Sequence, residues 1–245
     1  MSKIFDLGLV FSQIPQILEY LPVTLELAII SYAVSLVFGL IIALIKINKT
    51  PVFTQIANVF ISVIRGTPII VQLYVVYFGI PLILKAINLK LGTNLNVNGI
   101  PSIIYAFVAL AINESAFNAE IIRGALSSVK EGQIEAGHAL GMSTWQVLYR
   151  IVIPEALVVA FPSLINSFIG LIKGTSLAFT CSVVEMTAQA KILGGRNFRY
   201  FEAYCSLAII YWLITVILEQ IAKRVEQKMA IPDDAPEIKK IEERA

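Results

Sequence analysis

The sequence predicts an all-α protein built into a membrane, and three observations lead there. Of 245 residues, 57% are hydrophobic and only 15% charged, with a mean hydropathy of +0.79; soluble domains carry about 25% charged residues. The apolar residues fall in runs close to the roughly 20 that a helix needs to cross a hydrocarbon core about 30 Å thick. The third observation is an exception: Glu135 to Ala156, "EAGHALGMSTWQVLYRIVIPEA", is mixed and amphipathic between two apolar runs. Composition excludes a soluble enzyme, and a net charge of +2 is too small to imply nucleic-acid binding.

Residues 1–20 hold one lysine, an early aspartate and no small-residue cleavage site, so they do not read as a removable signal peptide. Ile4, Leu7, Val10, Phe11, Ile14, Ile17 and Leu18 recur at helical spacing, which predicts an amphipathic helix lying on the membrane. A membrane domain then covers 21–229. Its expected spans are Leu21–Ile45, Ile56–Leu84 with a break at "RGTP", Ile100–Ile122, a short Glu155–Leu171, and Ala203–Ala222. Ser176–Ala190 is apolar but brief, and is expected to be a half-helix or a re-entrant piece. Residues 230–245 are charged and lack an apolar face, so a flexible cytoplasmic tail is expected.

Lysines and arginines gather after the first, third and fifth spans: Lys46 and Lys49; Arg123, Lys130 and Arg150; Lys223, Arg224 and Lys228. The positive-inside rule then places the N-terminus outside and the C-terminus in the cytoplasm. Two short stretches echo each other, "IRGTP" at Ile64–Pro68 and "IKGTS" at Ile172–Ser176. Paired interruptions of apolar helices are a pointer to a transport site.

The mixed segment reads as a helical hairpin, 130–154. Lys130–Leu140 forms a short helix and Gly141 stops it. Ser143 opens a second helix, completes a capping box with Gln146, and Pro154 marks the next boundary. Trp145, Leu148, Tyr149 and Val152 share a stripe. A DNA-reading helix pair has the same outline, but membrane spans flank this one and it holds too few basic residues for phosphates. A hairpin resting on lipid or a docking knob for a soluble partner are the readings that stay.

Here the chain resembles a known family. Glu135, Ala136, Gly141, Ile151 and Pro154 match the Glu-Ala-Ala signature of permease subunits of binding-protein-dependent ABC importers, with Gly137 where the second alanine usually stands. "RGTPIIVQLYVVYFGIP", "AEIIRGALSSVKEGQIEAG" and "IKGTSLAFTCSVVEMTAQA" are similar to its polar amino acid branch, of the histidine, glutamine, arginine and cystine types. The resemblance implies a type I ABC importer permease fold in a bacterial cytoplasmic membrane. It implies alternating access driven by separate ATPase subunits that grip the cytoplasmic hairpin and hold ATP and Mg. It also implies a second permease subunit, identical or homologous, and an extracytoplasmic substrate-binding protein. The chain itself lacks a G-x-x-x-x-G-K-[ST] loop, so no cofactor is expected on it and energy must come from a partner.

For the ATPase contact the candidates are Glu135, Ala136, Gly141 and Trp145. For substrate, charged groups inside spans are suspects because each costs roughly 2.5–3.5 kcal/mol to insert. An amino acid carries an ammonium and a carboxylate, so one carboxylate and one guanidinium suit it. Glu185 and Arg123 are the candidates by resemblance to members with a mid-membrane site, followed by Glu120 and Asn113. Glu120 and Arg123 are spaced to pair with each other, and Arg123 also reads as a topology anchor. Glu114 is read as facing a partner subunit or water, and His138 as an interface contact. Cys181 and Cys205 read as small hydrophobes, and one histidine with two distant cysteines offers no metal set. The rivals are an ATP-independent secondary transporter or channel, which leaves the hairpin idle, and a membrane assembly factor, which leaves Glu185 idle.

Overall fold

The computed structural model describes residues 4–97 and 99–229. The tail expected at 230–245 lies outside them. Ten α-helices run in order: α1 Leu7–Leu18, α2 Leu21–Ile47, α3 Phe53–Gly66, α4 Ile69–Leu91, α5 Ser102–Leu126, α6 Glu131–Ala139, α7 Thr144–Val147, α8 Ile153–Gly174, α9 Met186–Asn197 and α10 Tyr200–Met229. Five helical stretches are long and apolar enough to span: Leu21–Ile47, Ile69–Leu91, Ser102–Leu126, Thr144–Cys181 and Tyr200–Met229.

The centre is the α2–α5 pair, and the sequence explains why. Ala28, Ser31, Ser35, Gly39 and Ala43 form a small-residue stripe at helical spacing on the buried side of α2. They meet Ala106, Ala109, Ala116 and Ala119 of α5, all buried. Where lipid supplies no hydrophobic push between helices, close approach of small residues is what brings them together. A methyl on Gly39 would stand 3.0 Å from Asn118 Cβ and 3.1 Å from the Ala119 backbone nitrogen. Two polar contacts fix the register: Ser31 Oγ donates to Phe107 O (3.4 Å), and Asn118 Nδ2 donates to Ser35 Oγ (2.8 Å). The two helices run parallel, ending together where the chain enters α6. Helix α8 returns beside them.

Three expectations need correction. The expected break at "RGTP" is present, but the second span is only the part after it. The break at Gly66–Pro68 yields two helices, and only α4 reaches spanning length. Pro68 cannot donate to the α3 ladder, and its predecessor Thr67 is extended, at φ −117° and ψ 142°. Pro154 does not bound the hairpin either. It sits in the first turn of α8, and the chain from Thr144 runs without a gap through it. The helix widens over Leu148–Val152 into a π turn in which Ile153 N–H donates to Leu148 O. That widening relieves the clash a proline ring makes with the carbonyl four residues back. The fourth span is therefore longer than Glu155–Leu171.

The apolar piece at Ser176–Ala190 is two pieces. Residues Thr175–Cys181 wind as a 3-10 helix, Ser182 turns at φ +62°, and α9 starts at Met186. Both echoed motifs thus mark real irregularities, a helix break at Gly66–Pro68 and a change of helix type at Gly174–Thr175. Helix α1 packs against α9 and α10 along its length. Ile17 is buried among Met186, Ala190, Leu207 and Ile210, while Leu7 and Phe11 point outward, each 58% exposed. Asp6 caps it by accepting from Gly8 N and Leu9 N.

Candidate functional site

The hairpin is a built object. Helix α6 closes in a Schellman motif: Met142 N–H donates to Gly137 O (3.1 Å) and Gly141 N–H to His138 O (2.9 Å). This geometry puts residue 141 in left-handed space, and Gly141 has φ +80°. Two residues on, Ser143 Oγ accepts from Gln146 N–H (3.3 Å) while Gln146 Oε1 accepts from Ser143 N–H (2.8 Å), a complete capping box. The arms touch at Gly137, where a methyl would stand 2.9 Å from Ile151 Cδ1 and 3.0 Å from Val147 Cγ2. Ile134 joins buried Ala125, Val129, Ala156 and Ala160, so α6 is seated on the ends of α5 and α8.

Among its polar exposed residues the hairpin leaves three large apolar side chains uncovered. Leu140, Trp145 and Tyr149 are 83%, 75% and 72% exposed. Glu135 and Ala136 are exposed beside them. Exposed aromatic and aliphatic side chains on a stiff frame are the composition of a protein-docking surface. All four residues expected to contact an ATPase stand on this one knob, and Gly141 holds its turn.

The polar residues expected to hold substrate are spread along the bundle. At the hairpin end, Glu120 accepts from Lys46 Nζ and from Arg123 through both Nε (2.9 Å) and Nη2 (2.8 Å). The Glu120–Arg123 pair is as spaced in sequence, and Lys46 from α2 completes it. Nearer the middle, Asn113 Nδ2 donates to Gln72 Oε1 at 3.0 Å. Also in α5, Glu114 accepts from Ser167 Oγ of α8 at 2.6 Å and is 9% exposed. Glu185 is fully buried at the other end. It is the N-cap of α9: Oε2 accepts from Thr187 N and Oε1 from Ala188 N, both 2.9 Å, and Tyr211 OH lies 3.4 Å from Oε2. The next residue, Met186, donates its N–H to Thr24 Oγ1 near the start of α2.

The structure therefore does not bring Glu185 and Arg123 together within one chain. Glu185 lies by Thr24 and Arg123 shares a carboxylate with Lys46; these two positions on α2 are roughly 33 Å apart along the axis, at 1.5 Å per residue. Sequence reasoning missed three participants: Lys46, Ser167 and Gln72. Gln72 had a signal, being the one polar side chain in the run "PIIVQLYVV". Lys46 was legible only as a basic residue at the same end as Arg123; its pairing with Glu120, like that of Ser167 with Glu114, joins residues far apart in the chain.

Comparison with known proteins adds the following. Residues 35–231 match the family described as binding-protein-dependent transport system inner membrane component. A probable amino-acid permease protein of Bacillus subtilis (strain 168), YxeN, is 38% identical, over 93% of this chain and 97% of its own length. The L-cystine transport system permease protein TcyL of the same organism is 36% identical, over 94% and 93%. A crystal structure of an amino acid ABC transporter with histidines superposes with a TM-score of 0.76 at 32% identity, covering 91% of this chain and 99% of that one.

Proposed function

Since the chain belongs to the family of binding-protein-dependent transport system inner membrane components, we propose how its parts divide the work of that family. It is the permease subunit of an amino acid ABC importer, with a type I importer fold, in a bacterial cytoplasmic membrane. In our reading the hairpin end faces the cytoplasm. There an ATPase subunit, holding ATP and Mg, seats its surface over Leu140, Trp145 and Tyr149, with Glu135 and Ala136 at the margin. A second permease subunit, a copy or a homologue, completes the pore. An extracytoplasmic binding protein delivers a polar amino acid at the other end; the relative TcyL, named for L-cystine, makes that amino acid one to test.

The observation that carries this reading is the hairpin's construction. A cap at each arm and a glycine contact between them make it stiff, and its seat on α5 and α8 ties it to two spanning helices. A push on the knob moves those helices rather than bending the knob. A lone transporter has no use for such a part. Alternating access then follows as a rocking of packed helices about a central passage.

Glu185, Arg123, Glu120 and Asn113 remain our candidates for substrate contact, now in two groups. Glu185 would meet an ammonium from the end where the binding protein delivers. Arg123, with Glu120, stands where substrate leaves, and Asn113 lies between. Each is engaged within the chain, so each would exchange a partner as substrate passes. The test is uptake into proteoliposomes that carry the permease, its ATPase and its binding protein. Labelled amino acid should accumulate only with ATP inside the reach of the ATPase, and Trp145→Ala should abolish most of it. Accumulation that runs equally without nucleotide would refute the proposal.

A further inference from the structure

At the break between α3 and α4, side chains of Thr67 and Gln72 replace the missing backbone hydrogen bonds. Helix α3 has 14 residues, about 21 Å at 1.5 Å per residue, too short to cross. The carbonyls of its last turn have no amide of their own helix to receive and no N–H from Pro68. Thr67 Oγ1 donates to Val63 O at 2.9 Å, and Gln72, in the first turn of α4, supplies the donor for Ile64 O. Its Nε2 lies 2.7 Å from Ile64 O, 3.1 Å from Thr67 O and 2.8 Å from Thr67 Oγ1, so two hydrogens serve three acceptors.

The other half of the amide points to α5. Gln72 Oε1 accepts from Asn113 Nδ2 at 3.0 Å. One turn further along α5, Phe117 lies under Arg65 of the break, 5.2 Å from guanidinium carbon to ring centroid. Gln72 is only 9% exposed. Its orientation is dictated: turned over, it would set its oxygen against three acceptors and its amino group against another donor. So α3, α4 and α5 meet in a single amide, and α5 is the helix that runs directly into the hairpin.

We propose that Gln72 is a positioning residue for transport: it clamps the α3–α4 break to α5, so that movement arriving from the hairpin carries both broken halves with it. The inference rests on the hairpin being the ATPase grip. With the clamp cut, α3 and α4 still pack on α5 through the clusters around Ile61 and Leu73 and the ATPase still cycles, but the break loses its hydrogen-bonded tie to α5 and the passage switches poorly. A residue that merely stabilised the fold would lower the amount of assembled complex and leave each assembled complex working normally.

The experiment counts ATP hydrolysed and amino acid accumulated in the same proteoliposomes, holding the complete importer with its binding protein. For Gln72→Met, which keeps length and loses every hydrogen bond, hydrolysis stimulated by loaded binding protein should stay within about twofold of the parent. Uptake per ATP should fall at least tenfold. Uptake per ATP at the parent value would overturn the proposal. Should Gln72→Met not assemble, Thr67→Val, which removes the hydroxyl that accepts from Gln72 and donates to Val63 O, is read the same way: a drop of about threefold supports the proposal and an unchanged ratio overturns it. Failure of the hairpin reading shows itself separately, as parent uptake that needs no ATP or as a Trp145→Ala variant that transports normally.

Discussion

Substitution of Gly141 separates backbone conformation from contact at the knob. Its φ of +80° lies in left-handed space, and no atom stands within 4 Å of where a Cβ would go. A new side chain therefore meets nothing, and the whole effect is the strain of holding an L-residue there. That strain is roughly 1–2 kcal/mol for an ordinary residue and at the upper end for a β-branched one. About 2 kcal/mol for valine corresponds to a roughly 30-fold shift away from the Schellman turn, about 1 kcal/mol for alanine to roughly fivefold, and asparagine should cost least. The permease in nanodiscs, titrated with purified ATPase subunit, reads this as Kd. The expected order of weakening is Val, Ala, Asn, Gly, with valine near 30-fold. Equal affinity for Val and Gly would refute the argument that the turn presents the docking face. Loss equal for Asn and Val would refute the argument that φ is the cause.

Further outcomes follow from the same geometry. Trp145→Ala removes the largest exposed aromatic of the knob and should weaken ATPase binding by at least tenfold, as loss of a central aromatic contact typically costs above about 1.4 kcal/mol; the same titration checks it. Glu185→Ala uncaps α9 and leaves the Thr187 and Ala188 N–H groups without acceptors, at about 1–2 kcal/mol, so the detergent-solubilised permease should melt several degrees lower, and Glu185→Gln, which keeps one acceptor oxygen, should fall between. Gly39→Leu drives a side chain into Asn118 and the α5 backbone; the fraction of protein eluting as a monodisperse peak after extraction should collapse, while Gly66→Ala, with no atom within 4 Å of its Cβ position, should elute normally.

Much of the fold could be read locally. Ser143 and Gln146 announce a capping box by spacing alone, and Gly141 a helix stop by its lack of a side chain. The hairpin was legible for that reason: every contact that shapes its turn lies within six residues. Pro154 was misleading for the same reason. A local rule makes it a boundary, but the widened turn before it lets the helix continue into α8. Glu185 reads from the sequence as a buried charge seeking a ligand; in the structure its oxygens face two backbone amides, a job that aspartate or serine does more often. Arg123 was legible as an end-of-span residue, but the depth of Glu185 was not, since nothing in its neighbourhood records how far along the bundle it stands. Gln72 shows the middle case. Its oddness in an apolar run was visible, but its partners at Ile64, Thr67 and Asn113 needed three helices in place.

The seat of α1 has a consequence for how the chain is made. Its buried edge rests on the last helix: Ser206 Oγ donates to Val10 O at 2.7 Å, and Glu202 accepts from Asp6 N–H at 3.3 Å. Helix α1 thus has part of its docking surface some 190 residues further along the chain, and at about 5–20 residues per second it waits roughly 10–40 s before that surface exists. Until then Val10, Gln13 and Ile17, buried in the finished fold, lack the α10 surface that covers them. Translation that stalls before Tyr200 would strand them in that state, leaving a nascent product for quality-control proteases to find.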